Sequence, residues 1–186
     1  MNFDFSFVPQ YMPYYLEGVK YTLLISLITV FFGALFGSLL FFMKTSNLHI
    51  WKIKPLKVIA VVYIEIVRGT PMLLQILIMY AGSKMFFGID LSPFTSAIIA
   101  IALNSAAYVS EIVRAGIEAV DKGQMEAARS LGMKKSTAMM LIVIPQAVKN
   151  ILPAIGNEFV AIIKESSMAS IIGVNELMFA DRKSVV

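Results

Sequence analysis

The chain has 186 residues, 58% of them hydrophobic and 15% charged, with a net charge of +4 and a mean hydropathy of +0.77. A soluble domain carries about 25% charged and about 45–50% apolar residues, so lipid is part of this chain's solvent. The absence of cysteine excludes disulfides and thiolate metal sites. The lysines lie in short loops between apolar runs, which excludes the basic, aromatic-interleaved face that nucleic acid requires.

The first segment, MNFDFSFVPQYMPYYLEGVKYT, has no basic residue before Lys20 and carries Asp4 and Glu17, so it does not read as a secretory leader. Its Tyr11, Tyr14, Tyr15 and Tyr21 suit a membrane-interface aromatic belt, with ordinary loop aromatics as the alternative.

A bilayer core needs about 20 mostly apolar residues per helix, and four segments meet that need: Leu23–Met43, Val58–Gly82, Phe94–Val113 and Leu141–Ile163. The first is uncharged, and its Gly33 and Gly37 form a G-x-x-x-G spacing that permits close helix contact. The second is interrupted by Glu65 and Arg68, which at i, i+3 can neutralise each other, and by Gly69-Thr70-Pro71. Pro71 removes a backbone donor and disfavours helix at Thr70, which predicts a kink, either a gating hinge at Gly69 and Pro71 or a packing bend. The third carries Asn104, Tyr108 and Glu111 on one helical face. The fourth holds Pro145, Pro153, Lys149 and Glu158. The last three are too polar to face lipid alone and should pack on protein or line a cavity.

The connections alternate in charge. Lys44, Lys52, Lys54 and Lys57 surround the first; the second holds Lys84 and Asp90; Arg114, Lys122, Arg129, Lys134 and Lys135 fill the third. By the positive-inside rule the first and third are cytoplasmic and the N-terminus is outside. His49, the only histidine, sits in a basic loop and is assigned no role, and the 12 methionines read as apolar filler.

Within the third connection, Lys122–Leu131 reads as a short helix ended by Gly132 in the left-handed conformation. Ser136 or Thr137 can cap the helix that follows. Glu126 and Arg129 at i, i+3 can pair or reach a partner, and Ala127 and Ala128 leave a flat surface that another surface can approach. A connector lying on lipid headgroups fits the same residues.

Further on, Asn157 and Lys164 are seven apart, as are Glu158 and Glu165, so each pair stacks on nearly one face. Charge at bilayer depth costs at least about 2.5–3.5 kcal/mol. Either these groups, with Asn104 and Tyr108, line a path for a zwitterionic or charged substrate, or a pair such as Glu158 with a lysine fastens the bundle. There is no metal-ligand cluster and no Ser/His or Cys/His pairing to suggest an intramembrane enzyme.

Glu126-Ala127-Ala128, Gly132, Ile142 and Ile144-Pro145 follow the spacing E-A-A, three residues, G, nine residues, I, one residue, L-P, with Ile144 in place of the usual leucine. The pattern resembles the EAA loop of permease subunits of ATP-binding-cassette importers. EIVRGTPMLLQ (Glu65–Gln75), LNSAAYVSEIVRAGI (Leu103–Ile117) and NEFVAIIKESSMASIIGVNEL (Asn157–Leu177) resemble the polar amino acid branch of that family. The resemblance covers Tyr15 to Ala180.

It implies an all-α integral membrane protein with a type I importer-like bundle, in a bacterial cell membrane. It also implies that Glu126, Ala127, Ala128, Gly132, Ile142 and Pro145 couple to an ATPase dimer. Further implied partners are a second permease subunit, identical or homologous, and an extracytoplasmic substrate-binding protein. This chain would bind no cofactor of its own. No G-x-x-x-x-G-K-[ST] loop occurs in it, so ATP and Mg would belong to the partner subunit. An ion-gradient transporter or channel using Glu158 and Glu165, and a membrane scaffold without transport, are the competing functions. The terminal DRKSVV departs abruptly from NELMFA and resembles a translated sequencing adapter. The expectation is therefore that Asp181–Val186 is not native and that a further span is missing.

Overall fold

The computed structural model describes residues 8–46, 48 and 54–185; Asp4, His49, Lys52 and Val186 lie outside the described residues. The described residues form α1 (Val8–Thr45), α2 (Pro55–Gly69), α3 (Met72–Leu77), α4 (Ser83–Phe87), α5 (Pro93–Glu118), α6 (Lys122–Ser130), α7 (Lys135–Ala138), α8 (Ile144–Glu165) and α9 (Leu177–Val185). Wider π turns at Ile78–Gly82 and Met139–Val143 join α3 to α4 and α7 to α8, and a tight 3-10 turn at Ser166–Ile172 follows α8.

Three helical stretches are long and apolar enough to cross a membrane: Tyr11–Thr45, Pro93–Glu118 and Lys135–Ile172. Each extends past the apolar segment read from sequence. At 1.5 Å per residue the 38-residue α1 is about 57 Å long, well beyond a core of about 30 Å. Tyr11, Tyr14, Tyr15 and Tyr21 therefore stand on a helix, not in a loop. Tyr11 and Tyr14 have ring centroids 6.3 Å apart, and Tyr21 packs edge-on against Phe94 at 5.9 Å.

Val58–Gly82 does not form one kinked helix. Pro55–Gly69 and Met72–Phe87 meet at 108°, a fourth span only if the bent pair counts as one. Pro145 does not interrupt the fourth span: it occupies the first turn of α8, where its missing N–H is tolerated. The preceding π turn absorbs the misfit, and the helical path runs on through it. No break appears at Asp181 either: α9 continues to Val185, and the Tyr15 hydroxyl donates to Asp181 at 3.1 Å.

The core forms where α1, α3, α5, α8 and the 3-10 turn converge, around Ile25, Ile76, Ile101 and Ile162. α5 is the central element because its buried residues are small: Ser96, Ala97, Ala100, Ser105, Ala106, Ala107 and Ser110. Small side chains let backbones approach, and α1 answers with glycines. A Cβ placed on Gly33 would lie 2.4 Å from Ser105 Oγ, and one on Gly37 would lie 2.7 Å from Val109 Cβ and 2.8 Å from the Ala106 carbonyl. The G-x-x-x-G spacing is thus the α1–α5 seam. At the end of that seam nearest α6, Lys44 of α1 pairs with Glu111 of α5, which also accepts from Arg114 at 2.9 Å; Arg114 bonds Glu118 in turn.

Candidate functional site

Two places carry the functional expectations: the helix between α5 and α8, and the polar groups inside the bundle. α6 starts where Asp121 caps it, its carboxylate accepting from Gly123 N at 2.6 Å. It ends at Gly132, whose φ of +83° is the expected left-handed conformation; Gly132 N donates to Arg129 O and Met133 N to Ala128 O. Lys134 precedes α7 without a side-chain cap, so Ser136 and Thr137 lie inside that helix and do not cap it. No ion pair joins Glu126 to Arg129 among the described residues; the Arg129 guanidinium donates to the Met133 carbonyl at 3.0 Å.

The two alanines face opposite ways. Ala128 is buried on the chain itself, whereas Ala127 is exposed. Met125 packs on the cluster of Val120, Val143 and Ala147, so α6 is braced against the start of the fourth span. Ile142 is half-buried within the π turn, and Pro145 is exposed at the start of α8. Beyond the bracing, Glu126, Ala127 and Leu131 stand outward, and Leu131 is 85% exposed. The sequence reading missed Leu131; a leucine beside a glycine cap on a polar helix was the available signal.

In the bundle, the break at Gly69–Pro71 is held from several sides. Thr70 is extended, at φ −108° and ψ 133°, as the residue before proline must be. The carbonyls this leaves without helical donors are met by the Gln75 side-chain amide, which donates to Val67 O at 2.8 Å and Thr70 O at 2.9 Å. Asn104 of α5, buried, donates to Gln75 Oε1 at 3.2 Å. Tyr63 donates to the Leu103 carbonyl at 2.8 Å, and the Arg68 guanidinium lies 5.1 Å over the Tyr108 ring. Arg68 therefore answers Tyr108 and forms no pair with Glu65. Gln75 was quoted in the motif but not singled out, although an amide four residues past a helix-breaking proline is well placed to satisfy freed carbonyls.

The predicted polar residues fall into separate groups. Asn104 and Tyr108 tie α5 to the elbow, while the third member of that face, Glu111, belongs to the Lys44–Arg114 network. On α8, Glu158 and Glu165 share a half-buried face, and Glu158 lies beside Ser105, whose Oγ makes no standard hydrogen bond among the described residues. Glu158 forms no ion pair among the described residues, so the bundle-fastening lysine pair is not what the structure contains. Asn157 and Lys164 are exposed on the neighbouring face. Lys164 lines a separate cavity of about 440 Å3 between α8, α1 and α9, together with Ser167, Thr22 and Glu176. The buried Glu176 carboxylate accepts from Met178 N and Phe179 N, both at 2.9 Å, and so caps α9. Burial raises its pKa above the usual carboxylate range, and those two N–H bonds act against the rise.

Membrane-length helices packed around a small-residue seam, with one bent helix pair pinned to α5, describe a multi-span helical membrane protein. Residues 50–182 match the family of binding-protein-dependent transport system inner membrane components, and the chain belongs to that family. It is 43% identical over 178 residues to the arginine transport system permease protein ArtQ of Bacillus subtilis (strain 168), covering 96% of this chain and 79% of that one. It is 44% identical over 177 residues to the putative glutamine transport system permease protein GlnP of Rickettsia conorii (strain ATCC VR-613 / Malish 7), covering 94% and 79%. A crystal structure of an amino acid ABC transporter with histidines superposes with a TM-score of 0.91 at 48% identity, covering 100% of this chain and 85% of that one. The bundle is an all-α, type I ABC importer-like permease fold.

Proposed function

We propose that the chain is the membrane-spanning permease subunit of an ATP-binding-cassette importer for polar amino acids. In this reading the N-terminus is outside and α6 is cytoplasmic, as the lysine-rich first and third connections require. α6 docks on a separate ATPase subunit, which binds ATP and Mg. Leu131 is the apolar anchor, with Ala127 and Glu126 beside it, and Gly132, Ile142 and Pro145 link the docked helix to the fourth span. A second permease subunit completes the path, and an extracytoplasmic binding protein delivers the amino acid.

The observation that carries the reading is the mounting of α6. Met125 and Ala128 fix one face to the bundle while Leu131 stays 85% exposed on the other. A connector resting on headgroups needs no such bracing, whereas a lever needs it, because force on an unbraced helix would only bend the loop. The relatives' arginine and glutamine permeases support an amino acid cargo. Glu158 and Glu165 offer carboxylates to the cargo's ammonium, Asn157 and Lys164 on the neighbouring face meet its carboxylate, and Asn104 and Tyr108 shape the wall. Gly69 and Pro71 form an elbow that moves with α5 as one unit, since Gln75, Asn104, Tyr63 and Arg68 bind the two together.

Uptake by the full complex with its binding protein, reconstituted in liposomes and assayed with labelled arginine, glutamine and histidine, tests the cargo. At least one should accumulate, and Glu158→Gln should lower that uptake about tenfold, the worth of one charged hydrogen bond. Failure to accumulate any amino acid, or uptake indifferent to both Glu158→Gln and Lys164→Gln, would overturn the cargo and path assignments.

A further inference from the structure

Where the ends of α1, α2, α5 and α8 gather near α6, they line an open cavity of about 600 Å3, within the range of about 300–1,000 Å3 typical of small-molecule sites. Its walls are apolar, with Phe41, Ile117, Ile144 and Val148 among them, and its rim carries Lys44, Lys57, Arg114 and Glu118. The charges do not balance. Lys44 and Arg114 share Glu111, and Arg114 also holds Glu118, so three cations meet two carboxylates. The excess belongs to Lys57, which is exposed and makes no ion pair among the described residues.

The depths of these groups agree. Lys44 is in the last turn of α1, Lys57 in the first turn of α2, and Arg114 about one turn from the end of α5. The cations therefore gather at one end of the bundle, with Phe41 and Val113 of the lining lying further toward its middle. The occupant that complements it is anionic at that end and apolar beyond it.

We propose that this cavity seats an anionic phospholipid, with one acyl chain against Phe41, Ile144 and Val148 and its phosphate on Lys57. Basic pockets between spanning helices recognise such headgroups. The seat depends only on the chain being in a membrane, not on its cargo or its motor. It also has a mechanical consequence. Ile117 and Met139 line the cavity and pack on the Val120–Val143–Ala147 cluster that holds Met125 of α6. A lipid chain in place stiffens the wall from which the helix is mounted.

Native mass spectrometry of the full chain in detergent, titrated with phosphatidylglycerol or with phosphatidylcholine of the same acyl chains, tests the seat. Phosphatidylglycerol should be retained at least about fivefold better, the effect of one uncompensated cation near the headgroup. Lys57→Glu should abolish that preference. Val148→Trp, which fills the cavity from an exposed position without touching a charge, should lower retention of both lipids. Circular dichroism should show unchanged helix content in both variants. Equal retention of the two lipids, or a Lys57→Glu chain that keeps the preference, would overturn the proposal. So would displacement by inorganic phosphate or glycerophosphoglycerol, which would mark a bare anion site. Loss of the lipid on assembly with a second copy or with an ATPase subunit would likewise overturn it, in favour of a protein occupant.

Discussion

ATP-driven uptake is expected to fall about thirtyfold when Leu131 is replaced by aspartate, while the unfolding midpoint of the chain stays where it was. The two halves of this expectation come from one number. At 85% exposure Leu131 contributes almost nothing to the chain's own packing, and surface substitutions of that kind change stability by no more than about 0.5 kcal/mol. An apolar anchor that enters a partner's pocket is different: truncating a hot-spot residue costs about 2 kcal/mol or more, and aspartate adds the cost of a buried, unpaired charge. Proteoliposome uptake and thermal unfolding of the same preparation read the two effects side by side. Normal uptake by Leu131→Asp would remove Leu131 from the docking surface. A lowered midpoint would show that the side chain serves the fold instead.

A second large effect is expected at the α1–α5 seam. Gly37→Leu should lower the unfolding midpoint in detergent and cut the amount of chain recovered from membranes. The new Cβ alone would stand 2.8 Å from the Ala106 carbonyl oxygen and 2.7 Å from Val109 Cβ. One of those neighbours is backbone and cannot rotate away. Overpacking a close-fitted core costs about 1–3 kcal/mol when side chains can adjust; here α1 must move off α5, so the upper end of that range is the minimum. Gly33→Ala should lower the midpoint as well, because its Cβ would meet the Ser105 hydroxyl and, at 2.8 Å, the Ser105 Cβ, which cannot rotate away. Equal midpoints for wild type and Gly37→Leu would mean that the seam is not where the bundle closes.

What the sequence disclosed follows from how far apart the deciding residues stand. The apolar stretches Leu23–Met43 and Phe94–Val113 lie inside α1 and α5 because twenty apolar residues in lipid have little alternative to helix. α6 and its end at Gly132 were legible because the glycine cap is local chemistry. The Gly33–Gly37 spacing correctly announced a close contact, though not its partner. Other features depended on residues far away in sequence. Pro71 signals a break, but the 108° bend is braced by Gln75, and Gln75 is held by Asn104, which is 29 residues further on. Glu111 looked like the third member of the Asn104–Tyr108 face until Lys44, 67 residues earlier, met it. Ala127 and Ala128 are equivalent in composition. Only the fold decides that Ala128 faces the chain itself and Ala127 faces outward. The π turn immediately before Pro145 left no composition signal.

The central claim is that α6 transmits work from an ATPase that is a separate subunit. The measurement that tests it most directly is amino acid accumulation in liposomes holding the full complex, with ion gradients collapsed by ionophores. ATP supplied on the ATPase side should drive accumulation, and an imposed proton or sodium gradient without ATP should drive none. Accumulation driven by the gradient alone, in liposomes that lack the ATPase subunit, would contradict the account.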